Sequence, residues 1–269
     1  MEFVILLLTG CFGGLLSGLF GIGGGVVYVI VFQVYFEEYY PQYNEHTLVE
    51  QVVANSILAV FCGSISGVIK QVKLKNFYPK EVSITGIGAL LTGILATIFQ
   101  YQWKSFDKTI FFILFTIFLL PLLFKVVPSQ TKTEENLHIN RNFFFGTGLL
   151  TGICTALTGV GGGVVINPML HGIKNYPIKR SFSISQGVMM ITTFAISIYN
   201  LYNATKHHID IFHFKLLIPV VVGVILTAPL GVSLAQKINA VVLQKLFVIF
   251  AVLIIGYNLI QIYLNWHSS

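Results

Sequence analysis

The chain has 269 residues, of which 55% are hydrophobic and only 10% charged, against roughly 25% charged in soluble domains. That balance excludes a sizeable soluble domain and makes the lipid bilayer the first partner. The net charge of +6 and pI of 9.2 do not signal a nucleic-acid partner, because the basic residues sit in short connections between apolar runs, where cytoplasmic positive charge belongs.

No charge lies between Glu2 and Glu37, and apolar helices are expected at 3–20 and 22–36, parted by a cluster of glycines. Met1-Glu2-Phe3 lacks the basic start of a cleavable signal, so this first run is expected to stay in the protein. Charge-free runs from Glu50 to Lys70, Glu81 to Lys104 and Lys108 to Lys125 give helices at 47–69, 82–100 and 109–126. The polar stretch 127–142, with Pro128, Ser129, Gln130, Glu134 and Glu135, reads as a linker. Beyond it, helices are expected at 143–158, 160–173, 181–203, 212–235 and 240–265. The expected organisation is a first transmembrane repeat over 1–126, a cytoplasmic linker over 127–142 and a second repeat over 143–269.

The repeat is carried by a duplicated motif. Gly21-Ile22-Gly23-Gly24-Gly25 returns as Gly159-Val160-Gly161-Gly162-Gly163, and the flanks return with it. Gly14 and Gly18 precede the first copy as Gly148 and Gly152 precede the second, and Val26-Val27 answers to Val164-Val165. Matched glycine breaks in two halves of a membrane protein point to a transport site.

Charge bias selects a topology. If each glycine-broken stretch enters the bilayer and returns, all of the 16 Lys and Arg except Lys104, Lys108, Lys206 and Lys215 fall on one face. If each crosses once, the basic residues split almost evenly. The first arrangement obeys the positive-inside rule, with both termini outside. Each half then crosses an odd number of times, so the fold expected is an all-α membrane protein of two inverted repeats. Each repeat has a glycine-broken helical hairpin and three further transmembrane helices.

A helix that starts at membrane depth presents unpaired N–H groups and a positive dipole end. With glycines there, no side chain keeps a small anion away. The candidate substrate-binding residues are therefore Gly21, Gly23, Gly24 and Gly25, facing Gly159, Gly161, Gly162 and Gly163. Close helix packing is the competing explanation, and it suffices for Gly14/Gly18 and Gly148/Gly152. It explains the triple glycines less well, since each costs a helix about 1 kcal/mol. Polar residues at matched depth complete the candidate site: Asn55 and Ser56 in the first half, Thr158, Ser185 and Gln186 in the second. Each could bind a ligand or bridge helices.

Other features carry less. Lys70 and Arg180 are expected to snorkel to the interface. His207, His208 and His213 are expected in a solvated outer loop rather than a metal site. Cys11, Cys62 and Cys154 lie in apolar runs without metal spacing, so no metal or cofactor is expected. Glu50 and Glu81 are read as interfacial span ends. With no carboxylate inside a span, the expectation is efflux driven by the membrane potential, about 2.3 kcal/mol per charge per 100 mV.

The segment Gly14-Leu15-Leu16-Ser17-Gly18-Leu19-Phe20-Gly21-Ile22-Gly23-Gly24-Gly25, its second copy, and Ala54-Asn55-Ser56 resemble the TauE/SafE sulfite exporter family over essentially the whole chain. The resemblance implies a carrier in a bacterial or archaeal cytoplasmic (inner) membrane for sulfite, sulfoacetate or related organosulfonates. It also implies that the glycine-flanked helix termini and adjacent polar residues hold the anion. Where the first half has Ala54-Asn55-Ser56, the second has no copy, only Ile184, Ser185 and Gln186, so the half-sites are expected to differ. An anion channel and a carrier of another small organic anion remain as alternatives. No nucleophile–base pair or ligand cluster at membrane depth argues for an enzyme, and a homo-oligomer is compatible with the sequence.

Overall fold

A computed structural model describes residues 2–103, 106, 108–119, 139–207 and 210–268. Among these the regular structure is helical. The first series is α1 (Glu2–Phe20), α2 (Gly25–Tyr39), α3 (Glu45–Lys73), α4 (Pro79–Gln102) and α5 (Lys108–Leu119). The second is α6 (Arg141–Thr158), α7 (Gly163–Asn167), α8 (Ile178–His207), α9 (Phe214–Lys237) and α10 (Ala240–Ser268). The π-helical stretch Pro168–Ile173 continues α7, because Pro168 has no N–H for the regular ladder. Helices α1, α3, α4, α8, α9 and the part of α10 up to Gln261 are long and apolar enough to cross a membrane. The expected helices are all present where residues are described, with ends displaced by a few residues. The end of the helix expected at 109–126 and most of the linker at 127–142 lie outside the described residues.

Both glycine-broken stretches fold back on themselves. Tyr39 at the end of α2 donates a hydrogen bond to Glu2 at the start of α1, at 2.7 Å, while Tyr28 packs against Gly13. The second hairpin closes likewise: Gly162 packs on Thr151, and Lys174 sits 4.7 Å above the Phe143 ring.

Small residues set the closest seams. Gly10, Gly14 and Gly18 of α1 lie against Val220, Val224 and Ala228 of α9, so these two helices run parallel. Gly148 and Gly152 of α6 lie against Thr85 and Ala89 of α4, again parallel. A Cβ on Gly10, Gly18, Gly148 or Gly152 would overlap a backbone carbonyl oxygen of its partner, in keeping with the packing role expected of Gly18, Gly148 and Gly152. Helix α8 runs with α4, pairing Gly187 with Val82 and Gly93 with Ile196. It runs against α3, pairing Gln186 with Gln71 and Phe194 with Phe61 at 5.2 Å. Helix α3 runs with α9, bonding Asn55 to Ile211 just before α9 and setting Gly63 against Val224; α1, α3 and α9 therefore point one way, and α4, α6 and α8 the other.

Exchanging the two series of five helices preserves the packing partners: α1 lies on α9 as α6 lies on α4, α3 on α8, and α5 on α10. Large apolar side chains such as Leu95, Leu226, Leu230 and Leu253 remain exposed, as a lipid-facing surface requires.

Two sequence expectations fail here. Arg180 does not snorkel. Its guanidinium pairs with Glu81, lies 4.0 Å over the Tyr78 ring, and leaves only 13% of its side chain exposed. Glu81 is itself 3% exposed, and Glu50 lies in the second turn of α3 with 16% of its side chain exposed. Both carboxylates stand near helix ends as expected, Glu81 in the first turn of α4, but protein packing covers them, so neither is the water-exposed group that an interfacial reading implies.

Candidate functional site

Helix α1 stops at Phe20 and α6 at Thr158 because the next residue turns left-handed. Gly21 has φ 60° and Gly159 φ 67°; Gly23 follows with φ 84° and Gly161 with φ 90°. All five positive-φ glycines, Gly24 (φ 69°) included, lie in these two breaks, a backbone path that residues with a Cβ resist. The copies differ at one position: Gly162 keeps φ −75°.

The two breaks touch. Gly25 lies against the carbonyl of Val160, Gly163 against that of Gly21, and Gly161 near that of Ile22. Val60 of α3 and Met189 of α8 both press on Gly23 and on Gly161. Sequence reasoning missed this apolar pair; their spacing from Ser56 and Ser185, four residues in each case, was the available signal. The crossing is closed: a Cβ on Gly23 would meet Val60 at 2.7 Å and one on Gly161 would meet Met189 at 2.8 Å. The glycines are therefore small because chain crosses chain, and not because an open chamber faces them.

Serine hydroxyls bridge the crossing. Ser56 donates to the Gly159 carbonyl at 2.7 Å and more weakly to Gly25 at 3.3 Å. Ser185 donates to the Gly21 carbonyl. The two serines thus take the same role in the two halves, a correspondence hidden in the sequence because their neighbours differ. Asn167 of α7 donates to the Phe20 carbonyl at 2.9 Å, and its own side-chain oxygen is buried without a partner.

With those carbonyls occupied, the crossing is rich in donors. Among the described residues, no acceptor pairs with the N–H groups of Gly23, Gly24, Gly25, Gly161, Gly162 or Gly163, and all six residues are buried. Buried backbone N–H groups are nearly always paired. The Tyr28 hydroxyl, buried and unpartnered, lies beside Gly24 at the start of α2.

The other expected site residues separate. Thr158 donates back to Cys154 at 2.7 Å and accepts the Val160 N–H at 3.4 Å, closing the turn. Gln186 donates to the Ser17 carbonyl at 3.0 Å and accepts from Gln71, whose own oxygen accepts from Asn76. This amide ladder joins the break to the 74–78 connection. Asn55 is not at the crossing. Its amide donates to Gln51 and Ile211 and its oxygen accepts the His213 N–H, so it ties down the connection between α8 and α9. His213 is not a solvated loop residue: it packs edge-on to Phe36 and Tyr40 at 4.9 and 4.8 Å. Burial lowers its pKa, with Asp210 opposing. Among the described residues no group of His, Cys, Asp and Glu could hold a metal ion; His208 lies outside them.

The profile of the family described as sulfite exporter TauE/SafE matches residues 5–258. The chain is 30% identical over 256 residues to a probable membrane transporter protein of Methanocaldococcus jannaschii, covering 88% of this chain and 90% of that protein. It is 23% identical to a probable membrane transporter protein of Haemophilus influenzae, covering 94% and 97%, and 23% identical to another from Bacillus subtilis, covering 94% and 96%. No solved structure matches the chain.

Proposed function

Because the chain belongs to the sulfite exporter TauE/SafE family, and is therefore a multi-pass membrane transporter, we propose that it exports small sulfur-containing anions held between its two glycine breaks. The carrying observation is the cluster of six unpaired, buried glycine N–H groups at the crossing. Such groups bind an oxyanion through several short N–H···O bonds, and the positive end of α2 adds to the attraction. Ser56 and Ser185 contribute by occupying the carbonyl oxygens that would otherwise repel the ligand.

The helix directions support an inverted repeat. The counterparts α1 and α6, α3 and α8, and α4 and α9 run oppositely, and exchanging the halves preserves the packing partners. The distribution of Lys and Arg orients the ends, with the connections at 74–78 and 174–177 cytoplasmic and those at 40–44 and 208–213 outside. The closed crossing favours alternating access over a continuously open channel. In that cycle Val60 and Met189 withdraw from one side of the breaks at a time.

Proteoliposomes loaded in parallel with sulfite, sulfoacetate, thiosulfate and sulfate test the reading. Saturable, protein-dependent efflux of one or more sulfur anions is expected. Conductance without saturation would replace the carrier with a channel, and efflux of none of the four would remove the substrate class.

A further inference from the structure

Beyond the crossing, a second polar site lies inside the bundle. A small cavity of about 10 Å³ is lined by Glu50, Thr97, Gln100, Tyr101, Ala156 and Asn200, among others, room for about one water. Gln100 is 3% exposed, and its side-chain N–H group has no partner. Tyr101 donates to Asn200 at 3.1 Å, and Thr97 donates back to Gly93 in its own helix. Neither hydroxyl hydrogen is committed to the carboxylate.

The titratable groups facing Glu50 are few. From its own helix His46 approaches to 3.6 Å. From α4 comes Tyr101, with Tyr199 of α8 behind it at 6.2 Å between ring centres; α6 contributes only Ala156. His46 is the one ion-pair partner of Glu50 among the described residues. A carboxylate in such surroundings sheds its charge most readily by taking up a proton.

Its position ties it to the glycine crossing. Val53 lines the same cavity, and its Cα lies 3.1 Å from where a Cβ on Gly159 would be. Glu50, Val53 and Ser56 follow at three-residue spacing, one face of α3, and Ser56 bonds the Gly159 carbonyl. The halves differ here: the residue six before Ser185 is Lys179, which bonds the Gln236 carbonyl at 2.8 Å. The carboxylate belongs to one side only.

Resting on the anion reading above, we propose that Glu50 is a proton-binding coupling site, loaded and emptied once per cycle. An anion at the crossing raises the proton affinity of the nearby carboxylate, and the protonated carboxyl raises the affinity for the anion; this linkage is reciprocal. Anion and proton therefore cross together. The proton comes from water on one side, rests on a Glu50 oxygen and returns to water on the other. The unpartnered Gln100 amide, on the wall of the same cavity, is the donor nearest to hand for a carboxyl oxygen turned toward it.

The test uses purified protein in proteoliposomes loaded with thiosulfate, whose charge is constant near neutral pH, at zero clamped potential. An acidic lumen should speed wild-type efflux severalfold, with alkalinisation of the lumen. Glu50→Gln should keep thiosulfate exchange but lose both responses. A full pH response in Glu50→Gln, or a response to a sodium gradient alone, would overturn the proposal. Infrared difference spectra give a second readout that needs no transport. A protonated-carboxyl band near neutral pH should be present in wild type and absent in Glu50→Gln; an unchanged band would also overturn it. Should thiosulfate not move in wild type, the infrared band alone decides. Should Glu50→Gln not fold, Gln100→Leu decides: loss of the facing amide should shift the pH dependence of efflux upward, and an unshifted dependence would count against the assignment.

Discussion

Breaking the buried pair between Glu81 and Arg180 should be among the most damaging conservative changes in the chain. Their side chains are 4% and 13% exposed, and the guanidinium is flanked by Tyr78 at 4.0 Å and Tyr176 at 5.6 Å. Glu81→Gln leaves the cation buried without its counter-charge, and Arg180→Gln leaves the anion so. Each should cost about 3–5 kcal/mol, the range for orphaning one member of a buried pair. The double variant should recover most of that loss, because two neutral amides carry no uncompensated charge. Fluorescence-detected size-exclusion melting of the four proteins in one detergent gives the cycle, with a coupling term well above 1 kcal/mol expected. Single losses below about 1 kcal/mol with additive behaviour, as for exposed pairs, would refute the reasoning and return Arg180 to water.

Further outcomes follow from the same geometry. Gly21→Ala and Gly24→Val should fail to accumulate as folded protein, since both sites have positive φ and meet backbone, the Phe182 carbonyl for Gly21 and the Gly13 carbonyl for Gly24; normal yield and melting of either would contradict the packed crossing. Ser56→Ala should cost about 1–3 kcal/mol by leaving the Gly159 carbonyl buried and less satisfied, read as a lower melting temperature. The His213 cage should loosen on acidification: the pKa is lowered in the fold, so the unfolded state binds more protons as pH falls below about 6.5, and stability is lost in that direction. Hydrogen exchange at 211–216 should therefore rise on going from neutral pH to about 5.5, after correction for intrinsic rates. In a background without native cysteines, Gln42→Cys should label from outside and Lys73→Cys should not; the reverse would invert the topology.

Much of the fold is legible because bilayer physics makes charge-free runs visible and because the glycine motif is duplicated. Small residues at four-residue spacing marked two close-packed faces, since backbone contact leaves no room for a Cβ, but which helices they meet, α9 and α4, was not legible. What the sequence hides are roles that depend on partners far away in the chain. Asn55 looks like a ligand group, yet its amide is consumed by Ile211 and His213 across the bundle. Ser56 and Ser185 match in space but not in flanking sequence. Glu50 and Arg180 stand at the ends of apolar runs, where interfacial placement is the ordinary expectation. What covers them comes from elsewhere in the chain: Glu81 and Tyr78 enclose Arg180, and Thr97, Gln100, Ala156 and Asn200 share a cavity with Glu50. Efflux driven by potential without a buried carboxylate lost its premise for that reason.

The central claim is that glycine N–H groups at the crossing bind the anion. Protein labelled with ¹⁵N-glycine, in detergent or lipid nanodiscs and titrated with sulfite, tests it most directly. Saturable shifts in the amide resonances of Gly23, Gly24, Gly161 and Gly162, assigned by single substitutions at neighbouring residues, are expected, with little change at Gly10 or Gly148. Saturating sulfite binding that leaves those four resonances in place would contradict the account.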